Sequence, residues 1–203
     1  MTASAPVSSR PVLTFDEAPH IYRVDGREVP SVTQILKEAY GDLLWPWAGE
    51  FAMERGRLVH AALHLWAQRD LDVKSLSPYI AGYVAAGVKW LTDSGFEIRV
   101  TEHRMYSSIY DYAGTCDIIG ILDRKSACVD YKTGEPGWAT GPQTWAYTQA
   151  WQEETGEVIR NRYGLRLFED GHYQLIPYHA DRDDKADFLA ARRVVARRRQ
   201  LAA

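Results

Sequence analysis

Two short segments hold the residues best suited to chemistry. Gly114-Thr115-Cys116-Asp117 and Asp130-Tyr131-Lys132-Thr133-Gly134 each read as part of a β-strand. Side chains alternate along a strand, so Asp130 and Lys132 share one face and Tyr131 takes the other. The turn Asp123-Arg124-Lys125-Ser126 is centred near position 124. A hairpin folded there sets Asp117 across from Asp130, within about one residue of register. A turn around Ser108-Ile109-Tyr110 likewise sets Glu102 across from Asp117. Three carboxylates from three adjacent strands then converge. Like charges so close raise one another's pKa, and a divalent cation relieves the conflict. Hard oxygen ligands suit Mg²⁺ or Mn²⁺. A lysine beside them can hold or activate a water, which completes the equipment for metal-dependent cleavage of a phosphodiester. The bland alternative is a solvated, salt-bridged sheet face with Lys132 paired to Asp130 or Asp117.

Residues four apart on predicted helices add to the set. Gly56 and His60 stack on one helix face, and a glycine there lets another backbone approach closely. His64 lies one turn further, so His60 and His64 could form a zinc pair. No glutamate follows His60, so the metalloprotease helix pattern is absent, and His64 reads as structural. Gln143 and Tyr147 also share a helix face and can hydrogen-bond a phosphate or orient Lys132. Trp138, Trp145 and Trp151 read as core residues rather than base-stacking platforms, although Trp138 lies in a Gly-rich loop and could touch a strand end.

The elements that must position these groups follow from pattern. His20 to Pro30 reads as a hairpin turning at Asp25-Gly26. Ser31-Val32-Thr33-Gln34 has capping-box spacing for a short helix ended by Gly41. Pro46 to about Arg69 is a longer helix with Phe51, Leu58, Ala62 and Leu65 at apolar spacing. Another helix runs from Pro78 to about Thr92. Strands follow at Glu97 to Tyr106, Tyr112 to Leu122 and Ala127 to Lys132. Pro142 to Thr155 is a helix ending at Gly156. Tyr163 to Phe168 and Tyr173 to Tyr178 form a hairpin through Asp170-Gly171, and a terminal helix starts at Asp181. The expected fold is mixed α+β, with a central mixed sheet carrying an antiparallel meander and flanked by helices. Residues 1–15 read as a disordered lead-in and 16–203 as one domain.

The chain has 203 residues and a net charge of −3. The length suits one domain with a full core. The charge means that any nucleic acid must be held by a local basic surface. The terminal helix offers Arg192, Arg193, Arg197, Arg198 and Arg199; compensation of the helix dipole, with Asp183 and Asp184 at the other end, is the favoured reading over phosphate binding. No apolar run approaches the length a spanning helix needs, so no membrane role is expected. Cys116 and Cys128, the only cysteines, read as small buried hydrophobes in a reducing cytoplasm.

Taken in order, GxxxH (Gly56, His60), GxxD (Gly114, Asp117), DYKTG (Asp130 to Gly134) and QxxxY (Gln143, Tyr147) resemble the RecB-like branch of the PD-(D/E)XK nuclease superfamily, including phage exonucleases. Tyr22-Arg23-Val24-Asp25-Gly26 and Pro30-Ser31-Val32-Thr33 are similar to the lead-in of phage-encoded members. The resemblance covers roughly positions 20 to 150. It implies a restriction-endonuclease-like core. It also implies metal ligation by His60, Asp117, Asp130 and the Tyr131 carbonyl, and a water-orienting Lys132. Gln143, Tyr147, Gly56 and Thr133 would support the lysine or the DNA, and Glu102 would serve a second metal or an outer position. Catalysis would fall to Asp117, Asp130, Lys132 and Glu102, with Mg²⁺ or Mn²⁺. Many relatives hold an iron–sulfur cluster on four cysteines; two cysteines cannot, so no cluster is expected. The activity implied is that of a stand-alone exonuclease on linear double-stranded DNA. A single-strand annealing protein is the implied partner, and a homo-oligomer is compatible with the family. The rivals are a structure-selective endonuclease, a non-catalytic nucleic-acid-binding module on the same fold, a zinc hydrolase built on His60 and His64, and a structural adaptor.

Overall fold

The computed structural model describes residues 11–41 and 49–202. Among the described residues are eight strands and five α-helices, and all but the first strand follow the expected order. A three-stranded antiparallel sheet comes first: β1 (Leu13–Asp16), β2 (Ile21–Val24) and β3 (Arg27–Val29). The expected lead-in therefore ends earlier than residue 15, because Leu13 to Asp16 pair with β2; residues 1–10 lie outside the described residues. Asp25 and Gly26 both adopt positive φ, as the tight β2–β3 turn requires. Helix α1 (Val32–Tyr40) opens with the expected capping box. Ser31 accepts from the Gln34 N–H, Gln34 returns the bond to the Ser31 N–H, and Gly41 closes the helix.

Helices α2 (Glu50–Ala67) and α3 (Pro78–Asp93) come next. The part of the predicted α2 that falls on positions 46–48 lies outside the described residues. Its buried face is Val59, Ala62 and Leu63, whereas Phe51 and Leu65 are exposed. The expected apolar stripe was rotated, because the helix is oriented by His60, which meets the sheet at the Tyr131 carbonyl.

The central sheet has the order β4 (Glu97–Ser107), β5 (Tyr112–Leu122), β6 (Lys125–Lys132), β7 (Asn161–Leu167), β8 (Tyr173–Tyr178). The first three strands form the antiparallel meander. Helix α4 (Thr140–Thr155) carries the chain across to β7, which pairs parallel to β6, and β8 returns antiparallel. This is the mixed sheet expected. Helix α5 (Asp181–Ala202) closes the fold.

Two cores sandwich the sheet. On one side Ile35, Leu36, Tyr147, Ala150 and Phe188 of α1, α4 and α5 pack with Met105, Cys116 and Cys128. On the other, Val59, Leu63, Val84 and Trp90 of α2 and α3 pack on Val129, Tyr131 and Leu165. Trp145 and Trp151 are core residues, while Trp138 is about half exposed and edges onto Tyr40. Cys116 and Cys128 are buried free thiols, as read from the sequence. Among the described residues, no helix is long and apolar enough to cross a membrane.

One buried polar group escaped the sequence reading. Arg162 on β7 is fully buried, and its guanidinium bonds Asp181 and Asp184 at 2.6 and 2.7 Å and the Gly141 carbonyl at 2.8 Å. Asp181 and Asp184, which suit the positive end of α5, also neutralise this charge. At the other end, Arg198 donates to the Glu38 carbonyl and Arg199 pairs with its carboxylate, so α5 docks on α1.

Candidate metal and catalytic site

Register builds the site. Ile118 pairs with Val129, so the next position along places Asp117 opposite Asp130. Thr101 pairs with Ile118 and His103 with Cys116, which leaves Glu102 facing Asp117. Both reflections made from the turns therefore hold. Glu102 departs from regular strand geometry, with φ at 48°. A non-glycine residue in that region costs on the order of 1–3 kcal/mol and persists where the surroundings impose it.

Helix α2 brings the fourth group. His60 Nε2 donates to the Tyr131 carbonyl at 3.0 Å, and Nδ1 lies 3.3 Å from Asp117 Oδ1. Asp117 Oδ2 accepts the Tyr131 N–H at 2.6 Å. His60, Glu102 and Asp117 can each offer one ligand atom with all three inside 4.8 Å, a cluster able to hold a metal ion. Glu102 Oε1 is buried with no hydrogen-bond partner. A buried, unpaired carboxylate oxygen is costly, and a cation is the partner that fits it.

Asp130, expected among the ligands, lies outside this triad. It is buried and ion-paired with Lys132, since a carboxylate so enclosed needs a counter-charge and the ammonium is at hand. Lys132 also donates to Gln143 Oε1 at 3.1 Å, and Gln143 Nε2 donates to the Tyr147 hydroxyl at 3.0 Å. These bonds join the Gln–Tyr pair to Lys132.

The electrostatics follow. Burial opposes the charged form of His60, but Asp117, Glu102 and Asp130 outweigh it and raise the imidazole to about 9. Burial, reinforced by Asp117, pushes the Glu102 carboxyl to about 7. Burial also lifts Asp130, to about 6, although Lys132 pulls the other way. Asp117 is depressed despite its burial, because His60, Lys132 and the Tyr131 N–H favour its charge. Lys132 is raised despite burial by Asp130 and Asp117, so it stays a cation.

Two glycines of the motifs differ in what they do. A Cβ on Gly114 would lie 2.8 Å from the Tyr147 ring and 3.1 Å from Val32, so the glycine is needed for α4 to reach the strand. A Cβ on Gly56 would sit 3.7 Å from Thr133 Oγ1, an ordinary contact, so close backbone approach does not require it. Gly56 and Thr133 instead line a cleft of about 920 Å³ together with His60, Glu102, Asp117, Asp130 and Lys132. His64 is also at its wall, with Nδ1 on Thr101 at 2.6 Å and Nε2 on Gln68 at 2.9 Å. Both nitrogens are engaged, which removes the zinc pair with His60. None of the five α5 arginines lines the cleft.

The cleft contains groups not singled out from sequence. Arg55 donates to the Thr133 carbonyl at 3.1 Å and lies over the Tyr83 ring. Arg104, Phe15 and His20 also line the cleft. Arg104 could have been found, since it stands two residues beyond Glu102 on one strand.

No protein-family model matches the sequence, and no match was found among curated proteins. Solved structures do match. One is the crystal structure of a Eubacterium rectale protein named "Putative exonuclease", with a TM-score of 0.55 and 13% identity over 84% of this chain and 79% of that one. Another is SSO0001, with 14% identity over 77% and 81%, whose TM-score of 0.33 carries no weight. The first likeness is one of fold.

Proposed function

We propose that this chain is a divalent-metal-dependent deoxyribonuclease, acting as a stand-alone exonuclease on linear double-stranded DNA to provide ends for recombination or repair. The observation that carries this reading is the convergence of His60, Glu102 and Asp117 around the partnerless Glu102 Oε1, beside an oriented Lys132. The nuclease-like fold supports it. The phage-type branch, annealing partner and oligomeric assembly follow from the motif resemblance, and the cytoplasmic location from the two cysteines read as reduced.

The residues divide the work. His60, Glu102 and Asp117 would hold Mg²⁺ or Mn²⁺; the Tyr131 N–H and carbonyl fix Asp117 and His60 in place. Bound there, the ion supplies the charge that lowers the pKa of an attacking water and neutralises the phosphate. Lys132, kept cationic by Asp130, contributes a second positive charge at the cleft floor. Without the ion, Asp130 and Asp117 hold its pKa up despite its burial. Gln143 and Tyr147 fix its direction.

The test uses end-labelled linear and closed-circular DNA with Mg²⁺, Mn²⁺ or chelator. Loss of the linear form alone supports the exonuclease, and the order of label release gives polarity. Cutting of circles makes the protein an endonuclease. Binding without cleavage of either form makes it a non-catalytic module.

A further inference from the structure

Phe15 and Tyr22 of the small sheet, His20 between β1 and β2, and Arg104 of β4 all line the cleft. Tyr22 is buried and anchored, its hydroxyl 2.7 Å from Thr115 Oγ1 in the GxxD segment of the central sheet. Phe15 lies against it at 4.5 Å between ring centroids, tilted by 37°. His20 edges onto both rings at 5.0 and 5.7 Å. The Arg104 guanidinium lies over the Phe15 ring, 4.7 Å from its centroid. Packing in the small core accounts for Tyr22 and the inner contact of Phe15. It does not account for His20 and Arg104, which are exposed and line the cleft. Arg104 has one acidic partner at 3.4 Å, Glu17, which is itself 82% exposed. Such a pair is weak and readily exchanged.

The location matters as much as the groups. Arg104 stands two residues beyond Glu102 on β4, about 7 Å along an extended strand, a span of about one nucleotide from the metal triad. A guanidinium plane supported by an aromatic ring is a surface on which bases stack, and its charge suits the adjoining phosphate. The cleft measures about 920 Å³.

We infer that Tyr22, Phe15 and Arg104, with His20 at their edge, form a stacking platform for an unpaired base next to the phosphate to be cleaved. This rests on the nuclease reading of the cleft.

The test is equilibrium binding in chelator, where no cleavage interferes. The probes are a single-stranded oligonucleotide carrying 2-aminopurine and a blunt duplex. The proteins are the intact chain, Phe15→Leu and Arg104→Lys. Arg104→Lys keeps the charge and removes the plane; Phe15→Leu keeps an apolar contact and removes the ring. Stacking on one base is worth about five- to a hundredfold in affinity. The single strand should bind each variant weaker by a factor in that range and lose its 2-aminopurine quenching, while duplex binding changes less than about twofold. Unchanged affinity and quenching in Arg104→Lys would overturn the platform and leave the nuclease reading intact. An equal loss on the duplex would also overturn it. If the unaltered protein binds neither probe, the nucleic-acid reading itself falls. Should Phe15→Leu fail to fold, the exposed Arg104→Lys decides alone.

Discussion

Glu102→Gln should make the protein more stable without metal and less stable with it. The Glu102 backbone has φ 48°, and one buried oxygen of its carboxylate has no hydrogen-bond partner among the described residues. Burial and the neighbouring Asp117 raise it from 4.5 to about 7. An acid whose folded pKa is raised holds its proton in the native state, so its contribution to stability is lost as pH rises from 4.5 through about 7. At about 1.4 kcal/mol per unit, ionised Glu102 costs on the order of 3 kcal/mol at pH 8. Removing it also removes an attraction to the His60 imidazolium, so the net gain is smaller, about 1–2 kcal/mol. For a chain of this size that is a rise in Tm of about 2–8 °C. The gain should be small at pH 5, where Glu102 is protonated in the folded state, and full at pH 8. Adding Mg²⁺ at ten times its Kd should stabilise the unaltered protein by about 1.4 kcal/mol and the variant hardly at all. Thermal unfolding of both proteins, in chelator and in Mg²⁺ at pH 5 and 8, measures each quantity. A variant less stable than the parent in chelator at pH 8 would refute the reasoning, as would equal Mg²⁺ stabilisation of both.

Four further outcomes are expected. Lys132→Ala should retain DNA binding within a few fold and lose cleavage by at least about a hundredfold, read by gel shift and by single-turnover rate; full activity would remove the lysine from the chemistry. Arg162→Met leaves Asp181 and Asp184 without their buried partner and should cost about 3–5 kcal/mol, read by urea unfolding. Gly114→Ala should cost about 1–3 kcal/mol because its methyl meets Tyr147 and Val32. Gly56→Ala has room and should be within about 0.5 kcal/mol of the parent in the same experiment.

Much of the site could be read from turn positions and alternation. Placing the turns near 109 and 124 was enough to set Glu102, Asp117 and Asp130 in one row, because antiparallel register is fixed by where the chain reverses. Alternation cannot say which carboxylate faces a metal and which faces the lysine. That depends on side-chain atoms, and the structure gives Asp130 to Lys132 and Glu102 to the triad. The fold was legible for the same reason: capping box, Asp-Gly turns and terminating glycines are local signals. The Arg162 network was not, since nothing local marks an arginine in a strand as buried between residues 19 and 22 positions away. The Phe15–Arg104 contact likewise joins strands of two sheets. The rotated face of α2 shows the limit of apolar spacing when a polar anchor, here His60, sets the helix.

The most direct test is the rate at which labelled nucleotides are released from linear duplex DNA by the unaltered protein and by Asp117→Ala, each in Mg²⁺ and in chelator. Release that requires both Mg²⁺ and Asp117 is the predicted result. Release that persists in chelator or survives the substitution would contradict a metal-dependent nuclease built on this cluster.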